Sequence, residues 1–292
     1  MSVPQVGRSV PLRRARRDQR VDCRDRGERV SADAPRRIDC GPGFGVAETH
    51  AHTLASDGMV DADDLVSAAA AAGITVLCIT DHDTTAALDK AVDRGAALGV
   101  EVVRGEEVTT AWPSGVHVVG LFLEGQVRMG LSVEDTVDAI HDQGGLAVLP
   151  HPFMPTYFAS ISARRASRLL ESHRVEGIEL RHTAVMAPWG WGALDDFYAA
   201  HRERLGAALG AGDSHFGSHD LGRMVTVFPG RTAADLRRAI EERTTSPRRG
   251  ITPTPPPLRM RLAQQQRALL WLPRERRAGR VGGGAGRAGA DA

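Results

Sequence analysis

Short apolar runs alternate with amphipathic stretches through the middle of the chain. The apolar runs have the length and the Val, Ile and Leu content of buried strands, and they cover residues 46–49, 74–80, 100–103, 116–122, 146–150, 175–180 and 207–212. Helical spacing fills the segments between several of them, with cap and stop residues at Asp61 and Gly73, at Thr84 and Gly99, and from Ser132 to Gln143, and with a further helix through 191–201. This alternation predicts βαβ units around a buried parallel sheet.

About seven such units in roughly 200 residues suit a small closed α/β barrel. An open, doubly wound sheet is the alternative architecture. In both folds the functional side chains belong at the carboxyl ends of the strands, where loops meet helix N-termini. Polar residues at those positions are therefore the candidates for chemistry.

Both ends of the chain lack this pattern. Residues 1–42 contain eleven arginines and six acidic residues, a composition that predicts a disordered basic tail. Residues 246–292 are rich in Pro, Gly and Arg and are also expected to be disordered. One domain over 43–245 is thus expected. The basic tail is either simply solvated or an electrostatic arm for polyanions such as nucleic acid.

Composition removes several classes of function. With 37 basic and 36 acidic residues the chain carries a formal net charge of +1, so it is not a uniformly basic nucleic-acid binder. Its three cysteines, Cys23, Cys40 and Cys78, have no CxxC spacing, which argues against a disulfide scaffold or a thiolate zinc site. No apolar run is long enough for a membrane span, and no secretory signal is evident. A cytoplasmic protein is expected.

Histidines and carboxylates follow the predicted strands one after another. These candidates are Glu48, His50 and His52 in ETHAHTLASDG, Asp81, His82 and Asp83 in ITDHDTT, Glu107 in RGEEVTT, His151 in LPHPF, and Asp213 and His215 in GDSHF. Alternation along an extended chain places His50 and His52 on one side, in a spacing that suits one metal ion. Imidazole and carboxylate ligands without thiolates suit Zn, Mn or Fe, and the donors exceed what one tetrahedral ion uses. Two or three divalent ions with a bridging carboxylate are expected.

These motifs, in this order over residues 46–243, resemble the polymerase-and-histidinol-phosphatase (PHP) domain of metal-dependent phosphoesterases. The resemblance implies a distorted (βα)7 barrel with a trinuclear metal cluster at the carboxyl ends of its strands. It also implies three ligand sets. The first ion is expected on His50, His52, Glu107 and Asp213, the second on Glu107, His117 and His151, and the third on Asp57, His82 and His215.

Two of these positions depend on the resemblance more than on the pattern. Strand alternation sends Glu106 and Glu107 to opposite sides, and Glu107 is chosen because it occupies the family's glutamate position. His117 lies inside a predicted strand, where a core histidine is the alternative. Glu48 stands where the family usually has Asp, and it is expected to hydrogen-bond near a ligand rather than to bind an ion.

The implied reaction is hydrolysis of a phosphate ester by a metal-activated hydroxide, with Asp213 and His215 at the reacting centre. Arginine is the preferred bidentate donor to phosphate, and Arg181 and Arg223 follow strand ends where such donors are expected. The leaving oxygen would take its proton from a metal-bound water or from an imidazole such as His182 or His219.

The substrate remains open at this point. Histidinol phosphate, a nucleotide monoester, a 3',5'-bisphosphate and a short oligonucleotide are all compatible with the motifs. One alternative function is a metal-binding accessory module attached to nucleic-acid machinery. Another is an amidohydrolase, although many of those bridge two ions with a carboxylated lysine and Lys90, the chain's one lysine, lies within a predicted helix.

Overall fold

The structure is a computed structural model that describes residues 37–113, 115–154, 157, 159–184 and 186–282. The strands in these ranges are β1 (Phe44–Glu48), β2 (Val76–Ile79), β3 (Glu101–Thr109), β4 (His117–Leu121), β5 (Leu146–Leu149), β6 (Gly177–His182), β7 (Ala207–Ala211), β8 (Met224–Pro229) and β9 (Ser246–Arg249). The α-helices are α1 (Ala62–Ala72), α2 (Leu88–Leu98), α3 (Val133–His141), α4 (Ala163–Ser172), α5 (Pro188–Leu205), α6 (Ala233–Glu241), α7 (Leu258–Gln266) and α8 (Leu272–Arg277). A 3-10 turn forms at Gly217–His219 and a π-helical turn at Arg267–Trp271.

The strands form one sheet that curls into a nearly closed barrel. Their order is β7, β6, β5, β4, β3, β2, β1, β8, β9. The two ends of the sheet meet, because the hydroxyl of Thr226 on β8 donates to the carbonyl of Gly210 on β7 at 2.9 Å, and the hydroxyl of Thr245 donates to the carbonyl of Ala208 at 2.8 Å. The predicted α/β barrel is confirmed.

The barrel is not parallel throughout. β1, β2 and β3 pair in parallel, as do β5, β6 and β7, whereas β4 runs antiparallel to both of its neighbours and β8 antiparallel to β1. The connection of residues 110–116 between β3 and β4 is too short for a helical crossover, so the chain makes a hairpin there. This reversal pairs His117 with Thr109 and places the start of β4 at the carboxyl end of β3.

The predicted helix caps are found, with one exception. Asp61 accepts a hydrogen bond from the backbone N–H of Asp64 at the start of α1, and Gly73 ends that helix at a φ of 81°. Ser132 caps α3 in the same way. The helix expected from Thr84 begins at Leu88 instead. The residues before it are held by β3, since His82 forms a bridge with Glu107 and the carboxylate of Asp83 accepts from the N–H of Thr109 at 2.6 Å.

The barrel interior below the carboxyl ends is apolar. Buried side chains from alternate strand positions fill it, including Ala47, Cys78, Val119 and Leu209, and α6 packs against them with Leu236 and Ile240. Two further clusters lie between the sheet and the surrounding helices. The polar side chains of the barrel are therefore concentrated at one end of a packed core.

The expected domain boundaries were too narrow. Ile38 donates its backbone N–H to the carbonyl of Ala72 at 2.8 Å, so residues 37–42 pack against the barrel, whereas residues 1–36 lie outside the described residues. The expectation that the chain after 245 is disordered is wrong for residues 246–282, which form β9, α7 and α8. Composition misses this because these elements are fixed by backbone pairing and polar contacts, with few buried apolar side chains. Residues 283–292 lie outside the described residues.

No helix among the residues that the structure describes is long and apolar enough to cross a membrane.

Candidate metal centre

The nine side chains expected as ligands lie together at the carboxyl end of the barrel. Seven of them are buried, whereas Asp213 and His215 are partly exposed. They come from six strands: His50, His52 and Asp57 follow β1, His82 follows β2, Glu107 lies on β3, His117 begins β4, His151 follows β5, and Asp213 and His215 follow β7.

Glu107 lies at the centre of the cluster and shares its two oxygens between two groups of imidazoles. Its Oε2 atom lies 3.1 Å from His50 Nε2, 3.2 Å from His82 Nδ1 and 3.4 Å from His52 Nε2. Its Oε1 atom lies 2.7 Å from His117 Nδ1 and 2.9 Å from His151 Nε2. A carboxylate with this arrangement can bridge two ions.

The first expected ligand set is assembled as a compact group. One ligand atom from each of His50, His52, Glu107 and Asp213 lies within 4.8 Å of the others. Within it, Asp213 Oδ1 is 3.2 Å from His52 Nε2 and 3.5 Å from His50 Nε2. Two imidazoles and two carboxylates converging in this way suit a divalent ion.

The third expected set lies within one compact group, whereas the second is grouped only in part, with His82 in the place expected for His151. His82, Glu107 and His117 meet the same distance criterion, while His151 reaches the group through Glu107 Oε1. His52, Asp57, His82 and His215 form the third group. Asp57 Oδ1 lies 3.2 Å from His215 Nε2 and 3.7 Å from His82 Nε2.

The candidate ligand atoms do not satisfy one another by hydrogen bonds, which favours bound divalent ions. His52 Nδ1, His82 Nδ1 and Asp57 Oδ1 are buried and lack a hydrogen-bond partner. An unsatisfied buried polar atom is costly, and native structures have few of them. Several such atoms in one cluster of imidazoles and carboxylates are accounted for by bound cations.

The cluster favours ionised carboxylates. Burial alone would raise the pKa of Glu107, but the imidazoles of His117, His82 and His50 hold that pKa well below its usual value. Burial would likewise raise the pKa of Asp213, and the imidazoles of His50 and His215 keep it well below the usual value. Both residues therefore offer negatively charged oxygens at neutral pH.

Glu179 on β6, which is not among the residues expected from the sequence, orients two of the histidines. His50 Nδ1 lies 2.7 Å from Glu179 Oε1, which leaves His50 Nε2 to face Glu107. The backbone N–H of His151 donates to Glu179 Oε2 at 2.6 Å. The available signal was an acidic residue within the apolar run 175–180, where a buried carboxylate requires polar partners.

Two further buried carboxylates hold the loops that carry ligands. Asp81 accepts from the hydroxyls of Thr53 and Ser56, both at 2.6 Å, and so fixes the loop that ends at Asp57. Glu48 accepts from the N–H of Gly212 at 2.7 Å, next to Asp213. Burial raises the pKa of Glu48 to about 8. Glu48 thus acts on the ligand loop, as expected from its position.

Three residues beside the cluster adopt positive φ angles. These are Asp83 at 53°, His151 at 30° and Asp213 at 49°. Such a backbone costs about 1–3 kcal/mol for a residue other than glycine, and it persists only where the surroundings impose it. The hydrogen bonds of Thr109 to Asp83, and of the His151 N–H to Glu179, are among the contacts that impose it here.

Arg181, one of the two arginines expected to bind phosphate, is engaged by other side chains. Arg181 forms a two-point pair with Asp195, with N–O distances of 2.8 and 2.9 Å, and its guanidinium lies over the ring of Trp191. A bulge between Glu179 and Arg181 breaks the strand alternation that would have aimed both side chains the same way. In the described part of the chain, the guanidinium of Arg223 has no hydrogen bond or ion pair to a candidate ligand.

The two histidines considered as proton donors differ in their surroundings. His182 is buried at the end of β6, neither of its ring nitrogens has a hydrogen-bond partner, and its ring centroid is 4.8 Å from that of Trp191. Burial lowers the pKa of His182 to about 4. His219 lies 3.1 Å from the hydroxyl of Thr254, outside the cluster.

Comparisons with known proteins agree with this geometry. A family model described as PHP domain matches residues 48–217, which contain all nine candidate ligands. A 3',5'-nucleoside bisphosphate phosphatase of Chromobacterium violaceum is 27% identical over 202 residues, covering 60% of this chain and 68% of that protein. A 5'-3' exoribonuclease of Haemophilus influenzae is 41% identical over 75 residues, but these cover only 25% of this chain and 27% of that protein.

The fold has relatives among solved structures. A two-domain protein from Bacteroides vulgatus, described as containing a predicted PHP-like metal-dependent phosphoesterase, matches with a TM-score of 0.58 and 19% sequence identity. The match covers 71% of this chain and 65% of that chain.

Proposed function

The chain belongs to the PHP domain family, and we propose that it is a metal-dependent phosphoesterase that hydrolyses a phosphate ester of a nucleotide, a short oligonucleotide or a small phosphomonoester. The observation that carries this proposal is the placement of Glu107, whose two oxygens face two groups of imidazoles at 2.7–3.4 Å. A shared carboxylate holds neighbouring cations close together, as the hydrolysis of a charged phosphate ester requires.

The residues that would hold the ions are the three expected sets. His50, His52, Glu107 and Asp213 would hold one ion, Glu107, His117 and His151 a second with His82 close by, and Asp57, His82 and His215 a third. When bound, such ions lower the pKa of a coordinated water towards neutrality and offset the charge of the phosphoryl oxygens. Mn, Zn and Fe all suit these ligands.

The substrate approaches from the side of Asp213 and His215. The side chain of Asp213 is 27% exposed and that of His215 is 14% exposed, whereas the side chains of His50 and His52 are fully buried. These two partly exposed ligands are the ones that a phosphate group entering from solvent can reach first, which supports a place for them at the reacting centre.

His182 is suited to the leaving group. With its pKa lowered to about 4, the ring is neutral at neutral pH, and its unpartnered nitrogens can donate one hydrogen bond and accept another. A phosphate dianion close to the ring favours the charged form and raises the pKa of His182. The residue can then pass a proton to the leaving oxygen of the ester.

The amidohydrolase alternative lacks its bridging group. Lys90 lies on α2, its side chain is 53% exposed, and its ammonium pairs with Asp61 and Asp63 at the start of α1. A carboxylated lysine therefore has no place between the ions. In the accessory-module alternative, the same complete set of side chains would bind ions without catalysis, and the measurement of ester hydrolysis separates this alternative from the proposed function.

The test is ester hydrolysis by the full chain supplied with Mn²⁺, followed as inorganic phosphate released from the monoesters and bisphosphates and as mononucleotide released from the dinucleotide. The panel contains histidinol phosphate, nucleoside monophosphates, 3',5'-bisphosphates and a 5'-phosphorylated dinucleotide, and the Asp213→Ala variant serves as the blank. Release that disappears in the variant supports the proposal and ranks the substrates. Folded, metal-loaded protein that releases no more phosphate or mononucleotide than the blank from any of these esters would contradict it.

A further inference from the structure

The helical segment of residues 258–277 crosses the loops at the mouth of the barrel. Near its middle, Arg267 donates from Nη2 to the carbonyl oxygens of Leu54 at 2.6 Å and Ser56 at 2.8 Å. Near its end, Arg276 donates from Nη2 to the hydroxyl of Thr109 at 2.8 Å and pairs with the carboxylate of Asp83. The segment is thus tied to the loop after β1 and to the carboxyl ends of β2 and β3.

Three residues before Arg267, the segment contacts a candidate ligand directly. Gln264 is 8% exposed, which is unusual for a glutamine on a surface helix. Its Nε2 atom donates to Asp57 Oδ2 at 3.1 Å. Asp57 belongs to the group of His52, His82 and His215.

The two oxygens of Asp57 have separate environments. Oδ2 accepts the hydrogen bond from Gln264, whereas Oδ1 has no hydrogen-bond partner and lies 3.2 Å from His215 Nε2. One oxygen is therefore anchored and the other is directed at the imidazoles. This is the arrangement of a carboxylate that binds an ion through a single oxygen.

The side-chain amide of Gln264 is held in the orientation that this contact needs. Its Oε1 accepts a hydrogen bond from Nε2 of Gln265 at 2.8 Å, so the amide nitrogen faces Asp57. Arg267 lies less than one helical turn further along the segment and fixes the backbone of the same loop, immediately before Asp57. The loop and the amide are thus fixed relative to each other.

We propose that Gln264 is a positioning residue of the metal centre, which sets the affinity of the ion held by Asp57, His82 and His215. Outer partners of metal ligands orient them, and their loss typically weakens metal binding about 10–100-fold. The segment 258–277 is then part of the active site, not an appendage to the barrel. The inference rests on the proposed function only in taking these residues as metal ligands.

The test measures Mn²⁺ binding to the metal-stripped full chain by isothermal titration, with metal content after dialysis as a second measure. The variants are Gln264→Leu, which removes the donor, and Asp57→Asn, which removes the ligand charge. Gln266→Leu is the matched control, because Gln266 is an exposed neighbour on the same helix. Circular dichroism of the metal-free proteins reports folding, and Gln264→Met replaces Gln264→Leu if the latter does not fold.

We expect Asp57→Asn to weaken one class of Mn²⁺ site without abolishing it, and Gln264→Leu to weaken the same class about 10–100-fold. The other classes and the Gln266→Leu control should match the unmodified chain. The double variant Asp57→Asn/Gln264→Leu should bind Mn²⁺ like Asp57→Asn alone, because Gln264 acts through Asp57. If Gln264 had only a structural role, Gln264→Leu would weaken Mn²⁺ binding by the same factor in the unmodified chain and in Asp57→Asn.

Three results would overturn the proposal: unchanged Mn²⁺ affinity in Gln264→Leu, equal weakening of every class of site, or additive effects in the double variant. None of these depends on catalysis. A chain that binds Mn²⁺ as described but releases no phosphate would overturn the proposed function and leave the role of Gln264 supported.

Discussion

His50 and Glu179 form a buried pair in which Nδ1 of the imidazole lies 2.7 Å from Oε1 of the carboxylate. Because Glu179 occupies Nδ1, the Nε2 atom of His50 is left facing Glu107 at 3.1 Å. The other oxygen of Glu179 accepts the backbone N–H of His151. One carboxylate outside the ligand set therefore fixes two ligands that face the shared Glu107.

Replacing that carboxylate should loosen the centre without removing a ligand. In Glu179→Gln, only the oxygen of the side-chain amide can accept a hydrogen bond, whereas the amide nitrogen can only donate. Either His50 or the backbone N–H of His151 therefore loses its acceptor, and that ligand loses its orientation. We expect metal affinity or kcat to fall about 10–100-fold, measured by Mn²⁺ titration and phosphate release. Glu171→Gln, an exposed change on α4, is the control and should behave as the unmodified chain. Equal behaviour of the two variants would contradict the orienting role.

Adjacent glutamates on β3 provide a sharper comparison. Glu107 faces the imidazoles, whereas Glu106 faces the opposite side and accepts the N–H of Val127 at 2.7 Å. We expect Glu107→Gln to lower kcat by at least about 100-fold, because it removes the shared negative charge between the ions. Glu106→Gln should keep kcat within about threefold of the unmodified value, because burial already keeps Glu106 neutral at pH 7. The reverse order of effects would show that the wrong glutamate was assigned.

The buried carboxyl of Glu106 predicts a dependence of protein stability on pH. Burial raises the pKa of Glu106 to about 9, above its usual value of 4.5, so the folded protein binds a proton that the unfolded chain releases. Its contribution to stability is complete below about pH 4.5 and is lost as pH rises to 9. As pH rises, we expect the free energy of unfolding of the metal-free protein to fall less steeply in Glu106→Gln than in the unmodified chain. The two slopes should differ by up to about 1.4 kcal/mol per pH unit. Urea titrations from pH 5 to 9 measure this, and parallel curves for the two proteins would contradict it.

The placement of His182 predicts an effect that depends on the leaving group. If His182 gives a proton to the departing oxygen, His182→Gln should lower kcat about 100-fold or more for an alkyl phosphate. The effect should be much smaller for p-nitrophenyl phosphate, whose phenolate leaves without a proton. His219→Gln is the comparison, since that ring contacts Thr254 away from the cluster. A uniform loss over both substrates would assign His182 to binding instead.

Arg181 and Asp195 should behave as a structural pair. The two-point pair is about 40% exposed, with side-chain exposures of 36% and 45%, so we expect Arg181→Ala and Asp195→Ala each to destabilise the protein by less than about 1 kcal/mol. KM should change less than about threefold in both variants. Thermal unfolding and steady-state kinetics test this. A large rise in KM in Arg181→Ala alone would contradict the structural role and support the expected contact between Arg181 and the phosphate of the substrate.

Seven of the nine candidate ligands could be predicted from the sequence pattern, because each follows an apolar run and parallel strands end at the same edge of a barrel. Asp57 and His117 were expected only from the resemblance to the family. The position of His117 beside the other candidate ligands could not be predicted from the pattern. It depends on β4 running antiparallel to β3, which places the first residue of β4 at that edge of the barrel. Glu179 was missed because one acidic residue in an apolar strand gives no sign of its partners. Arg181 was misplaced because a bulge changes the alternation that the sequence implies.

The chain after residue 245 was expected to be disordered, whereas residues 246–282 are folded. Composition estimates how much apolar surface a segment can bury, and α7 and α8 bury little. Their position is fixed by a few polar contacts of high specificity, including Gln264 with Asp57 and Arg276 with Asp83. Such contacts have no periodic signature, so only the folded structure reveals them.

The contact between Gln264 and Asp57 also orders events during synthesis of the chain. Protein synthesis proceeds from the N-terminus, and the last candidate ligand, His215, emerges from the ribosome before β8, α6, β9 and α7. A nascent chain can therefore contain every ligand while Oδ2 of Asp57 still lacks its donor. On the role proposed for Gln264, the ion site of Asp57, His82 and His215 is therefore complete only when α7 has been added.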